Sequence, residues 1–211
     1  YRDGTAERQI SLQLLSEITP SSTRIFHIGS ISLIDGEDAD LWEQKFCELA
    51  RQGVITSLDP NIRELLVKNK KQYLDRLERM SKCANILKLS DEDLSYMRPE
   101  DSLGDAFTEI CRTSEAEIVV LTMGAKGARV KAGEFSFKVS AAVCDPLVDT
   151  VGAGDTFMGT ILAEINEKKA SAATLSNIAK DELVYIMNRA AKDAALSCET
   201  VGCNPPYKHE F

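Results

Sequence analysis

Short, almost wholly apolar runs alternate with longer amphipathic stretches along most of this chain, and that rhythm restricts the fold more than any other feature. Residues 24–29, 54–58, 85–89 and 117–122 read as strands, each too short for a buried helix and bounded by turn or helix signals. Between them, residues 39–52, 64–80, 91–97 and 102–113 carry helical spacing, with Gly53 in a C-cap position and Pro60 ending the second strand. A helix over residues 6–18 leads the series, with Ile10, Leu12, Leu14, Leu15 and Ile18 mostly on one face. Strands that alternate with helices in this way imply a mainly parallel sheet with helices on both faces. After Thr122 the rhythm changes. Residues 128–131 and 134–139, separated by Ala132-Gly133, suit a hairpin, and helix-like stretches follow at 154–167, 171–178 and 181–197.

A chain of 211 residues with 44% hydrophobic residues can bury one good-sized core, and a single α/β domain over 1–211 is expected. The formal charge of −8 argues against a nucleic-acid partner, which calls for a basic face to displace counterions. The apolar runs fall far short of the roughly 20 residues that span a bilayer, and no basic-then-apolar segment opens the sequence, so a cytoplasmic protein with no membrane partner is expected. Cys47, Cys83, Cys111, Cys144, Cys198 and Cys203 are widely scattered and form no Cys-x-x-Cys pair. With only two histidines beside them they offer no metal site, and reduced thiols are expected throughout.

The strongest chemical signal is Gly152-Ala153-Gly154-Asp155, where irregular chain turns into an amphipathic helix containing Phe157, Ile161, Leu162 and Ile165. Small residues there let a phosphate approach the backbone, while unpaired N–H groups and the helix dipole favour negative charge. Asp155 beside such an anion hole could accept the proton of an attacking hydroxyl, or could merely cap the helix. Thr122-Met123-Gly124-Ala125-Lys126-Gly127 is a strand end followed by two glycines, suited to passing close to a nucleotide or to making a plain turn. Ser90, with Asp91, Glu92 and Asp93 after it, reads equally as a helix cap or as an oxygen-rich site for a hydrated cation.

The longer string Asp149-Thr150-Val151-Gly152-Ala153-Gly154-Asp155-Thr156-Phe157 closely resembles the C-terminal signature of the ribokinase-type, or phosphofructokinase B, carbohydrate kinases. The resemblance covers essentially the whole chain and about the last two thirds of a family member, whose N-terminal part supplies the first strands and a lid that often forms a homodimer contact. It implies a ribokinase-like three-layer α/β/α sandwich and transfer of the γ-phosphoryl group of ATP to a sugar hydroxyl, with Mg²⁺ and with K⁺ as a further cation. Asp155 would then be the catalytic base beside the sugar, and Gly152, Ala153 and Gly154 would present N–H groups to the migrating phosphoryl group. Thr122, Gly124 and Gly127 would line the nucleotide, together with Lys88 and Ser90. Asp93 would orient the water shell of Mg²⁺, standing where many members have the last residue of Asn-x-x-Glu. Asp149 and the carbonyl of Val151 would hold the monovalent cation, and residues 191–202 would flank adenine, with Ala191 where relatives often have Asn. Asp59-Pro60-Asn61-Ile62-Arg63 and Tyr1-Arg2-Asp3-Gly4 look most like the fructokinase and 2-keto-3-deoxygluconate kinase branch, which would put Arg2 and Arg63 near the sugar. Fructose is the first expected acceptor and a keto sugar acid the second. A non-catalytic nucleotide-binding protein of the same fold is the rival, because Ser90, Asp93 and Ala191 depart from the commoner pattern.

Overall fold

The computed structural model describes residues 4–19 and 21–207. Its elements are helix α1 (Leu12–Ile18), strand β1 (Ile25–Gly29), helix α2 (Gly36–Arg51), strand β2 (Ile55–Asp59), helix α3 (Lys70–Ser81) and strand β3 (Ile86–Ser90). Helices α4 (Asp91–Met97) and α5 (Leu103–Thr113) precede strand β4 (Ile118–Thr122), then strands β5 (Ala128–Ala132) and β6 (Phe135–Val139). Helices α6 (Ala153–Glu167) and α7 (Lys180–Ser197) complete the series. The six strands make one sheet in chain order. β1 pairs with β2 and β2 with β3 in parallel, while β5 and β6 form an antiparallel hairpin with Ala128 opposite Val139. The chain divides into two compact units, one running to Val119 and taking in residues 171–173, the other holding the remainder.

In the first unit every residue of β2 is buried, the polar Thr56, Ser57 and Asp59 included, as in a strand covered on both faces. α2 buries Ala39, Phe46 and Leu49, spaced 7 and 3 residues apart and so on one helical stripe. The ring of Phe26 stands 6.2 Å from Trp42 and 6.3 Å from Phe46, within aromatic pairing range. Of the three only Phe46 is fully buried, and emptying its site costs about 3–5 kcal/mol. α3 buries Tyr73, Leu77 and Met80 and also Arg76, only 1% exposed. Arg76 is tolerated inside because Nη1 donates to the Leu33 carbonyl at 2.9 Å while Asp40 and Glu43 supply carboxylates.

Two stretches expected as continuous helices are broken by side-chain caps. The Ser11 hydroxyl accepts from Leu14 N–H and starts α1 afresh after a short 3-10 turn at Ala6–Arg8. Asn69 Oδ1 accepts from Gln72 N–H and starts α3, leaving Glu64–Leu66 as a separate 3-10 turn. The expectation of reduced thiols is also corrected: Cys47 and Cys83 form a disulfide with their Cα atoms 5.3 Å apart. The two lie 36 residues apart in sequence, and only the packing of α2 beside the turn after α3 brings them together. Cys111, Cys144, Cys198 and Cys203 are free thiols.

In the second unit α6 packs along α7, with Ile161 and Ile165 buried on one side and Ile186, Met187 and Ala190 on the other. β5 alternates buried Ala128, Val130 and Ala132 with partly exposed residues, as a hairpin strand covered on one face does. Among the described residues no helix is long and apolar enough to cross a membrane.

Candidate active site

Gly152 is the N-cap of α6, with φ of 81°, a left-handed conformation that costs any residue with a β-carbon. Space excludes a side chain as well, since a Cβ there would stand 2.4 Å from Sγ of Cys203. The Gly152 carbonyl accepts from Thr156 N–H at 2.8 Å, and Ala153 N–H reaches back to the Thr150 carbonyl at 3.2 Å. Gly154 and Asp155, in the first turn, have no backbone N–H partner among the described residues. These two amides sit at the positive end of a 15-residue helix, the arrangement that favours a bound anion. Among the described residues the Asp155 side chain makes no hydrogen bond. Its side chain is exposed and lines a cavity of about 360 Å³ with Thr156, Thr160, Glu164, Arg189 and Cys203.

A carbonyl and a carboxylate fix the loop before this helix. The Cys198 carbonyl, just after α7, accepts from Val148 N–H at 2.9 Å and Asp149 N–H at 3.1 Å. Asp149 in turn accepts from Val151 N–H at 3.0 Å on one oxygen and from Gly202 N–H at 2.9 Å on the other. The Val151 and Gly202 amides hold its carboxyl below the usual carboxylate range, so it stays anionic. Further along the helices, Thr160 Oγ1 donates to Asp193 Oδ2 at 2.8 Å and Arg189 Nη1 to Glu164 Oε1 at 2.7 Å. Thr156 Oγ1 and Asp193 Oδ1 are buried without a hydrogen-bond partner among the described residues.

Thr122 ends β4, and the turn after it closes through Met123 N–H to the Gly127 carbonyl at 2.8 Å. Gly127 has φ of 83°, and a Cβ on it would meet the Val139 carbonyl at 2.0 Å, so glycine is required there. Gly124 also has positive φ but stands in open space.

The remaining candidates lie in the first unit. Lys88 is buried on β3 and its ammonium donates to Asp59 Oδ2 at 2.7 Å. Burial pushes the Asp59 carboxyl up while the Lys88 charge opposes it, and Asp59 Oδ1 has no hydrogen-bond partner among the described residues. Ser90 and Asp93 form a reciprocal capping box, Ser90 Oγ accepting from Asp93 N–H at 3.0 Å and Asp93 Oδ2 from Ser90 N–H at 2.9 Å. Asp93 Oδ1 accepts from Ile62 N–H at 2.7 Å. Arg63 is exposed and donates to Asn61 Oδ1 at 2.6 Å. Arg2 lies outside the described residues.

The structure therefore gathers Asp149, Val151 and Gly152 to Asp155 around one helix cap, and Lys88, Ser90, Asp93 and Arg63 around the C-terminal ends of β2 and β3. Sequence reasoning put Cys198 and Gly202 only in the stretch 191–202 expected to flank adenine and gave Cys203 no role; it missed that all three anchor or abut that cap from about 50 residues downstream.

Residues 3–210 match the pfkB family carbohydrate kinase. The chain belongs to that family. This pfkB-family chain is 36% identical over 165 residues to a fructokinase of Rhizobium leguminosarum bv. trifolii, covering 78% of the chain and 49% of the relative. It spans about half the length of the curated relatives it matches. Among solved structures, the fructokinase of Xylella fastidiosa with bound ATP superposes with a TM-score of 0.86 at 23% identity, covering 96% of this chain and 64% of that one. The fructokinase of Vibrio cholerae O395 bound to fructose, ADP and calcium gives 0.79 at 24% identity, covering 95% and 62%. Likeness at that identity carries the fold, which is the ribokinase-like α/β/α architecture that the resemblance implied.

Proposed function

We propose that the protein containing this chain transfers the γ-phosphoryl group of ATP to a hydroxyl of fructose or a related ketose. The observation that carries the reading is the first turn of α6, where two unpaired amides and the exposed Asp155 carboxylate share the positive end of one helix. Family membership and the fructokinase relatives support the reaction class and the choice of a ketose. Asp155 accepts the proton of the attacking hydroxyl, and the Gly154 and Asp155 N–H groups stabilise charge on the transferring phosphoryl group, with Gly152 and Ala153 shaping the approach. Thr122, Gly124 and Gly127 border the nucleotide, and Arg63, with Arg2, hydrogen-bonds the sugar.

Among the described residues no group of three or more His, Cys, Asp or Glu is arranged as a metal cage. Mg²⁺ arriving on the phosphates with its own waters would need no such cage and would supply charge neutralisation of the phosphates. Each oxygen of Asp93 accepts one amide and keeps a second lone-pair direction for a water of that shell. Asp149, anionic and beside the Val151 backbone, suits K⁺.

Asp155→Asn in the whole protein tests the reading, because Asn keeps the size but not the proton-accepting carboxylate. A positioned general base contributes about 10² to 10⁴ in rate, so kcat falls by that order while ATP affinity and Tm hold. A loss below about fivefold at saturating fructose removes Asp155 from the base role.

A further inference from the structure

The segment after β2 is fixed at each successive residue. Asp59 is held by Lys88, the Pro60 carbonyl accepts from Ser30 N–H at 2.9 Å, and Ile62 N–H donates to Asp93 at 2.7 Å. Asn61 adopts φ of 40°, uncommon for a residue with a side chain, and its Oδ1 receives Arg63 Nη1. Asp93 lies 31 residues away in sequence and is 4% exposed, with one oxygen on Ile62 and the other on the cap of its own helix. The only long cationic side chain in the segment, Arg63, is exposed at its end.

From this we infer that Asp93 is a positioning residue for substrate recognition, whose carboxylate holds the Ile62 amide and thereby sets where the Arg63 guanidinium meets the acceptor sugar. The ligand's identity rests on the kinase reading above; the link between Asp93 and Ile62 does not. The acid's length matters, because an aspartate at the third position of α4 reaches both its own cap amide and Ile62, and one more methylene displaces the carboxylate from that pair. The ligand class is a polyhydroxylated or carboxylated sugar, whose paired oxygens match a guanidinium fork.

The experiment uses the whole protein as wild type, Asp93→Asn, Asp93→Glu, Arg63→Ala and the double variant Asp93→Asn/Arg63→Ala. Glu is the preferred partner in a capping box, so Asp93→Glu keeps α4 capped and tests the link should the Asn variant fold poorly. Loss of a hydrogen bond to a charged group corresponds to about tenfold, so KM for fructose rises by about that factor in Asp93→Asn and in the same direction in Asp93→Glu. Because Asp93 also faces the Mg²⁺ water shell, the ATP and Mg²⁺ readouts are taken in Arg63→Ala, where both stay within about twofold, as a side chain that meets only the sugar requires. In the double variant KM for fructose is no higher than in Arg63→Ala alone, because a residue acting through Arg63 has nothing left to position. Additive KM effects, or a change confined to ATP or Mg²⁺, overturn the inference. Amide hydrogen exchange at Ile62 supplies a readout independent of activity and accelerates by about tenfold or more in Asp93→Asn. Should the wild type phosphorylate no ketose, the kinase reading falls while exchange still decides the positioning link, and unchanged Ile62 exchange overturns it.

Discussion

Gly152 and Cys203 are in direct contact: a β-carbon on Gly152 would stand 2.4 Å from Sγ and 2.9 Å from Cβ of Cys203. The tail after α7 thus closes on the helix cap that carries Asp155, and the cap tolerates no side chain for two separable reasons, its φ of 81° and this contact.

Gly152→Ala therefore lowers stability by more than the left-handed backbone cost alone, which is about 1–2 kcal/mol. Adding Cys203→Gly removes the steric part and leaves the backbone part. Denaturant unfolding of the two single variants and the double variant checks this. Equal destabilisation by Gly152→Ala with and without Cys203→Gly would show that the contact carries no energy.

Asp149 links the loop before α6 to the turn after α7 through the Val151 and Gly202 amides, which lower its pKa. A carboxylate with a depressed folded pKa stabilises the fold above its unfolded pKa of about 4, and that contribution is lost as pH falls through the lower folded value. The Tm difference between wild type and Asp149→Asn is thus full at pH 7 and shrinks below about pH 4. A difference independent of pH over that range would contradict the two charge-assisted hydrogen bonds.

The Cys47–Cys83 disulfide closes a loop with a sequence separation of 36. In the chain-entropy account, a loop of that length stabilises by roughly 3–4 kcal/mol, so a reducing agent lowers Tm and Cys47→Ser abolishes the sensitivity. Thiol titration of the unfolded, unreduced chain reports the four free cysteines, and reduction raises the count to all six. Six reactive thiols before reduction would show the bond absent.

Periodicity and end signals were sufficient for the architecture because both are local. The apolar run from Ile118 to Leu121 reads as a strand wherever it lies, and Gly53 stops its helix without reference to the rest of the chain. The candidate base was legible for the same reason, since Gly152 to Asp155 makes a helix N-terminus within a few residues. Local pattern misplaced the start of α3, where one hydrogen bond from Gln72 to Asn69 outweighed the apolar spacing that seemed to begin at Glu64.

The sequence by itself determined the order of strands and helices, the hairpin after β4 and the small-residue turn that opens α6, because nearest-neighbour chemistry specifies each of them. Only the tertiary structure decided that Cys47 bonds Cys83, that Cys203 shuts against Gly152, and that the Asp93 oxygen left over from its cap accepts from Ile62 N–H. These relationships join positions 31 to 51 residues apart, and such distances close only when helices pack on the sheet and on one another. No local propensity encodes which partner a side chain meets once that packing is complete.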